Sequence, residues 1–394
     1  MSAALIETLS LPIPAPLWKQ KLIEGTPYTV EWVIKTLAGK EGEVLDVKDV
    51  INVTVTNIND GNGFVTQILR VVIQFRSCGE KSVVLKVPDA NLLNRTFQND
   101  DSHHIHIDYF NREIEFYEAF VPHLFIPLPK IFENVRWIPG ESIGAIAMED
   151  LSESCFIHPV SEGLSVEQLF AIAGHLADLH NTYLSLPQSL QDHFATVFAP
   201  QEGCISFQVN LIVPRAIDIA KRYSDMFGTR LDTFVSILED ADYHRYTSAT
   251  LSEALNLPRV LVHGDLWSNN ILWKNAAPCT VGAFLDWQGF MVGSLAFDLS
   301  RILALCTTAS IRRANMEAVV SHYYNKLDHP TFSKNSVIQA ISETMPYQCA
   351  HMMFVIQLLE DRCDRKSLNK MLTRAVAALD DLFDYTIYYE RHNK

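Results

Sequence analysis

The stretch His263-Gly264-Asp265-Leu266-Trp267-Ser268-Asn269-Asn270-Ile271-Leu272-Trp273, followed by Val281-Gly282-Ala283-Phe284-Leu285-Asp286, decides the reading of this chain. Val260, Leu261 and Val262 form a short strand, 263–269 a polar loop, and 270–273 and 281–285 two further strands joined by a turn. This order delivers Asp265 and Asn270 from the loop, and Asp286 from the exit of the hairpin, to a common edge. Phosphoryl transfer asks for that set. A carboxylate must orient the attacking hydroxyl and accept its proton, and oxygen ligands must hold Mg2+, which takes one or two carboxylates plus water and phosphate oxygens. An ordinary polar turn explains Asp265 or Asn270 alone, but not readily the strand-terminal Asp286 as well.

Outward from this stretch the composition of the two halves differs. Short runs rich in Val, Ile and Thr at 50–56, 64–75 and 81–87 are punctuated by turn residues at 57–63 and 77–79, which predicts an antiparallel meander. A helix is expected at 107–121, strands at 131–135 and 143–148, and a helical opening segment at 18–38. After Ser165, which can cap a helix running to 187 with Glu167 in its first turn, the pattern is mainly helical: 210–225, 228–242, 297–308, 312–326, 334–362 and 366–388. Strands followed by helices predict an α+β, bilobal chain with its boundary near Asp150-Leu151, giving domains 1–151 and 152–394.

The first half should then hold a nucleotide. Lys86 lies inside the apolar strand Val83-Val84-Leu85-Lys86-Val87 and, as a phosphate contact, needs a carboxylate partner. Glu113, flanked by Phe110, Phe116, Tyr117 and Phe120 on a helical wheel, faces inward, whereas Glu115 points away. The turn with Gly61 and Gly63 can present backbone N–H groups to phosphates, although such residues make any hairpin turn. Met148, Glu149 and Leu151 fall where sheet gives way to helix, a place for backbone groups to read adenine. Glu149 and Asp150 are equally suited to capping the segment that follows.

Composition sets limits. The 394 residues are 48% hydrophobic and 20% charged, an ordinary globular balance, and the net charge of −14 speaks against a nucleic-acid partner. Seven scattered cysteines without a Cys-x-x-Cys pair fit reduced thiols. Residues 1–20 lack the pattern of a signal peptide and 352–359 is too short to span a bilayer, so a cytoplasmic protein without membrane insertion is expected. The sequons at Asn52 and Asn94 then carry no weight. His103-His104-Ile105-His106 reads as a solvated loop, His180 as a partly buried structural histidine, and Phe383, Tyr385, Tyr388 and Tyr389 as helix packing.

His263-Gly264-Asp265 with Asn270, then Phe284-Leu285-Asp286-Trp287-Gln288 and Phe297-Asp298-Leu299-Ser300-Arg301, resemble the choline kinase and aminoglycoside phosphotransferase group. Trp267 and the run Asn269-Asn270-Ile271-Leu272-Trp273 are similar to its ecdysteroid-kinase-like (CHK kinase-like) branch, and the resemblance covers about 50 to 305. It implies a protein-kinase-like fold with a five-stranded antiparallel sheet plus helix and a larger helical lobe. It also implies ATP and Mg2+, and transfer of the γ-phosphate to an alcohol on a small molecule, steroid-like or glycosylated by the family name. By position it makes Asp265 the catalytic base, Asn270 and Asp286 the metal ligands, and Lys86 and Glu113 the phosphate-anchoring pair. The adenine hinge becomes 147–151, and His263 and Asp298 support the catalytic loop, although Asp298 would serve equally as a helix N-cap.

The departures are informative. Only Gly61 and Gly63 stand for a glycine-rich loop, and Gly264 replaces the Arg of protein kinases. Asp286 lacks a following Phe-Gly, and about ten residues separate it from the helix at Phe297, too few for a protein-substrate platform. The competing reading is a pseudokinase serving as a nucleotide-binding regulatory module. It predicts loss of one of Lys86, Asp265, Asn270 or Asp286, and all four are present.

Overall fold

A computed structural model describes residues 15–41, 44–58, 66–89, 103–200, 205–206 and 208–383. Gly61, Gly63, Asn94, Tyr385, Tyr388 and Tyr389 lie outside the described residues. Contacts divide the chain into two units, Met1–Pro122 with Leu128–Glu153, and His123–Pro127 with Ser154–Lys394.

The first unit is built on strands β1 (Val50–Asn57), β2 (Thr66–Phe75), β3 (Gly79–Pro88), β4 (Ile131–Val135) and β5 (Ala145–Met148). They form one antiparallel sheet in the order β1-β2-β3-β5-β4. Alternation puts Val83, Leu85 and Val87 on the face that joins Val71, Ile73, Ala145 and Ala147 in a core closed by Trp18, Val30, Val33, Ile34 and Leu37. The latter come from helices α1 (Ala15–Gln20) and α2 (Val30–Glu41). The single helix expected over 18–38 is thus two, because Pro27 lacks an N–H and disfavours helix in the residue before it. Helix α3 (His103–Ala119) starts earlier than expected and takes in the histidine run. Its His106 side chain is buried, not part of a solvated loop.

The second unit is mainly helical, as expected. Helix α4 (Val166–Leu184) opens with a capping box in which the Ser165 hydroxyl accepts from the Gln168 amide and the Gln168 side chain accepts from the Ser165 amide. Further helices are α5 (Val213–Arg222), α6 (Phe297–Leu305), α7 (Ala309–Lys326), α8 (Lys334–Glu343), α9 (Met345–Leu359) and α10 (Arg365–Leu382). The helix expected over 334–362 breaks at Thr344, where Pro346 cannot continue the hydrogen-bond ladder. Helix α9 packs against α5, α6 and α10.

Two small sheets carry the site. Strands β6 (Cys155–Ile157), β8 (Ile271–Lys274) and β9 (Ala277–Phe284) form one. Strand β7 (Arg259–Val262) pairs with β10 (Met291–Ser294) in the other. The sequence pattern did not reveal β6 or β10. The described cysteines 78, 155, 279, 306, 349 and 363 are free thiols. Among the described residues no helix is long and apolar enough to cross a membrane.

Candidate active site

In the first unit, Lys86 projects from the sheet face opposite the core, with Ile146 as its partner in register and Met148 opposite Val84. It is 5% exposed, so its ammonium needs a counter-charge. Glu113 supplies one, with Nζ to Oε2 at 2.5 Å. The carboxylate is fully buried beside Phe110, Phe116 and Phe120, and accepts a further bond from the Tyr117 hydroxyl at 3.3 Å. Glu115, on the other side of α3, pairs with Arg136 at 3.1 Å. The strand-to-helix link is not a run of free backbone groups. The Glu149 amide donates to the Lys130 carbonyl at 2.8 Å, and the Glu149 carboxylate accepts from the Lys130 amide at 3.1 Å. Asp150 accepts from the Ser152 amide at 3.0 Å and pairs with Arg70 at 2.6 Å. Burial works to raise its pKa, but these bonds outweigh that and hold it below the usual carboxylate range.

In the second unit, the loop after β7 is clamped from behind. Asp298, in the first turn of α6 and wholly buried, accepts from the His263 amide at 2.7 Å and the Gly264 amide at 3.0 Å. Its own helix is preceded by Ala296, so Asp298 is a loop anchor and not the N-cap. Burial pushes its carboxyl up to about 6 against the pull of those two amides. The His263 ring bonds the Leu285 carbonyl through Nε2 at 2.8 Å and accepts from the Asp265 amide through Nδ1 at 3.3 Å. Walled by Leu176, Leu179, Leu266, Phe284 and Trp287, it is driven by burial down to about 4 and stays neutral.

These clamps fix the three polar residues of the motif. Asp265 is part-exposed, and Asn270 Nδ2 donates to its carbonyl at 2.8 Å and approaches its Oδ2 at 3.4 Å. The Asn270 carbonyl accepts from the Leu285 amide at 2.9 Å, which ties the loop to the end of β9. Asp286 follows at once with a left-handed backbone, φ 63°. Trp267 is buried in the core of the unit, as is Trp273.

The motif did not assign a role to Arg301. It lies on the apolar helix α6, 1% exposed, and its Nη1 is 2.7 Å from Asp265 Oδ1. Gln348 and His351, three residues apart on α9, and Gln208, on a π-helical turn (Gln208–Ile212), complete a polar cluster around it. The available signal was a cation set among Leu299, Ile302, Leu303 and Leu305, three residues after Asp298.

A family model described as ecdysteroid kinase-like matches residues 60–334. A Caenorhabditis elegans protein named uncharacterized oxidoreductase dhs-27 is 25% identical over 380 residues, covering 87% of this chain and 44% of that protein. A second, named uncharacterized kinase-like protein D1044.1, also from Caenorhabditis elegans, is 23% identical over 284 residues, covering 69% of this chain and 73% of its own length. The chain therefore spans less than half the length of the first of these relatives. Among solved structures, a Plasmodium vivax ethanolamine kinase has a TM-score of 0.48 at 17% identity, covering 92% of this chain and 91% of that one. The GDP complex of aminoglycoside 2'-phosphotransferase-IIIa has a TM-score of 0.48 at 12% identity, covering 89% and 98%.

Proposed function

The chain belongs to the ecdysteroid kinase-like family, and from that premise we propose that it is an ATP-dependent phosphotransferase acting on a hydroxyl group of a small molecule. The family name favours a steroid-like or glycosylated alcohol. The observation that carries the reading is Asp265. Its carboxylate is part-exposed, braced by Asn270 and Arg301, on a loop whose backbone Asp298 clamps. A group so held can orient an acceptor hydroxyl and take its proton as the new O–P bond forms and the bond from the γ-phosphorus to the ADP oxygen breaks.

The other residues fit the same chemistry. Asn270 commits Nδ2 to Asp265, which leaves its side-chain oxygen for a cation, and Asp286 would add a carboxylate from the residue after Leu285, whose amide bonds the Asn270 carbonyl. Among the described residues no three His, Cys, Asp or Glu side chains are grouped so as to hold a metal ion by themselves. Two protein oxygens with water and phosphate oxygens are what Mg2+ accepts. When bound, Mg2+ would neutralise charge developing on the phosphates. Lys86, fixed by Glu113, would contact phosphate, and Met148, Glu149 and Leu151 would lie against adenine. Gly61 and Gly63 would cover the phosphates.

The test is ADP release from Mg-ATP across a panel of hydroxylated metabolites, wild type against Asp265→Asn. A positioned general base contributes about 10²–10⁴-fold, so the variant should lose that much turnover while still binding nucleotide. Equal turnover in the two proteins removes Asp265 as the base. Nucleotide binding without turnover on any acceptor would make the chain a nucleotide-binding regulatory module instead.

A further inference from the structure

Arg301 places a positive charge where solvation is lost, and an apolar residue would pack in helix α6 without that cost. Stability alone therefore does not account for it. Three of its five N–H donors are engaged. Nε donates to Gln348 Oε1 at 2.9 Å, and Nη1 lies 2.7 Å from Asp265 Oδ1 and 3.2 Å from His351 Nδ1. Nη2 has no partner among the described residues.

A guanidinium only donates. The contact with His351 thus requires Nδ1 to be the lone-pair nitrogen, which places the ring proton on Nε2. That proton points at Gln208 Oε1, 2.8 Å away, and so fixes the orientation of the Gln208 amide, whose Nε2 is buried and unpartnered among the described residues. Gln348 is oriented by the same logic, its Nε2 donating to Ser300 Oγ at 3.1 Å. The polarity of every bond follows from Arg301, along a line from the loop at Asp265 to the turn at Gln208–Ile212.

We infer that Arg301 is a positioning residue for Asp265, and that His351 and Gln208 hold it in register. Arg301 tethers Oδ1 at 2.7 Å and Asn270 Nδ2 approaches Oδ2 at 3.4 Å, and the carboxylate held between them is oriented for the acceptor hydroxyl. The inference rests on Asp265 being the base. A lysine would preserve the charge but not the planar fork that meets Gln348, His351 and Asp265 together.

The experiment compares Arg301→Lys, Gln208→Leu and the double variant by steady-state ADP release and by crystal structures of each. A base displaced by about 1 Å loses about 100-fold in rate, so Arg301→Lys should lower kcat about that much, with KM for ATP within about threefold of wild type. Gln208→Leu, farther from the reaction, should lower kcat about tenfold. The double variant should match Arg301→Lys alone, because the relay acts as one unit. In the crystals the Asp265 side chain should leave its wild-type rotamer. An unchanged kcat in either single variant, reductions that multiply in the double variant, or a retained Asp265 rotamer would overturn the inference. If Arg301→Lys does not fold, Gln208→Leu decides by its kcat and its Asp265 rotamer. If wild type itself releases no ADP, the kinase reading fails, and the rotamer in Gln208→Leu still decides whether the relay positions Asp265.

Discussion

A Cβ atom on residue 264 would fall 2.0 Å from the carbonyl oxygen of Gly289, and the backbone there has φ +79°. Any side chain must therefore push the loop away from the turn at Trp287–Gly289, in addition to the strain of about 1–2 kcal/mol that a left-handed conformation imposes on an L-residue. Gly264→Ala should cut kcat more than tenfold and lower the urea midpoint, since the Gly264 amide is one of the two that Asp298 holds. A variant with wild-type kcat would show that the loop tolerates the shift. The glycine was visible in sequence as a departure from the protein-kinase pattern, but its reason was not, because the clash is with a carbonyl 25 residues later. Asp265, Asn270 and Asp286 stood out in the sequence as candidates because phosphoryl transfer, the chemistry proposed here, restricts residue type at short, fixed spacing. Arg301, Gln348, His351 and Gln208 were not. Their contacts join residues 36 to 143 positions apart, and nothing in one sequence marks such pairs.

At the scale of the element, strand β3 shows how a period of two separates structure from chemistry. Val83, Leu85 and Val87 close the core, and Lys86 emerges on the opposite face toward Glu113. Lys86→Met leaves the buried Glu113 carboxylate without its cation, which should cost about 3–5 kcal/mol in chemical denaturation. Adding Glu113→Gln should recover most of that stability while turnover stays lost. If Lys86→Met is as stable as wild type, the pair does not hold the helix to the sheet. The inward face of α3 could be read from sequence because aromatic residues recur around Glu113 at helical spacing. The short strands β6 and β10 could not, since three or four residues are too few to display a period.

The whole molecule carries a signature in its pH dependence. His180 is completely buried against the Tyr323 hydroxyl, Nδ1 to Oη at 2.6 Å, and burial drives it down to about 3. Its folded pKa lies below the unfolded value, so the unfolded chain takes up a proton first and stability is lost as pH falls from about 6.5 toward 3. His263, near 4, acts in the same direction. Asp298, raised to about 6, acts in the opposite one: its neutral form favours the fold, and that contribution is lost as pH rises from about 4 through 6. His180→Gln removes one titrating group, so the slope of unfolding free energy between pH 6 and 4 should fall by up to about 1.4 kcal/mol per pH unit. An unchanged slope would mean that His180 is protonated in the native state. The α+β division was plain in the sequence, because composition changes along the chain. The depth of these histidines was not, because His180 read as partly buried and only the fold encloses it completely.

Strand β10 has one more consequence. The residues that follow Asp286 pass through a 3-10 turn at Trp287–Gly289 into a strand paired residue for residue with β7, from Met291↔Val262 to Ser294↔Arg259. Backbone stitched to a neighbour in this way moves only if that ladder is broken, so a modifying enzyme would have to unpair β10 from β7 to swing this stretch. If the chain is the phosphotransferase proposed above, its throughput would then follow the amount of protein and the supply of acceptor. Progress curves should start without a lag, and pretreatment with protein kinases should leave the initial rate unchanged; a rate that climbs after such treatment would show that the stitched strand is not the resting form.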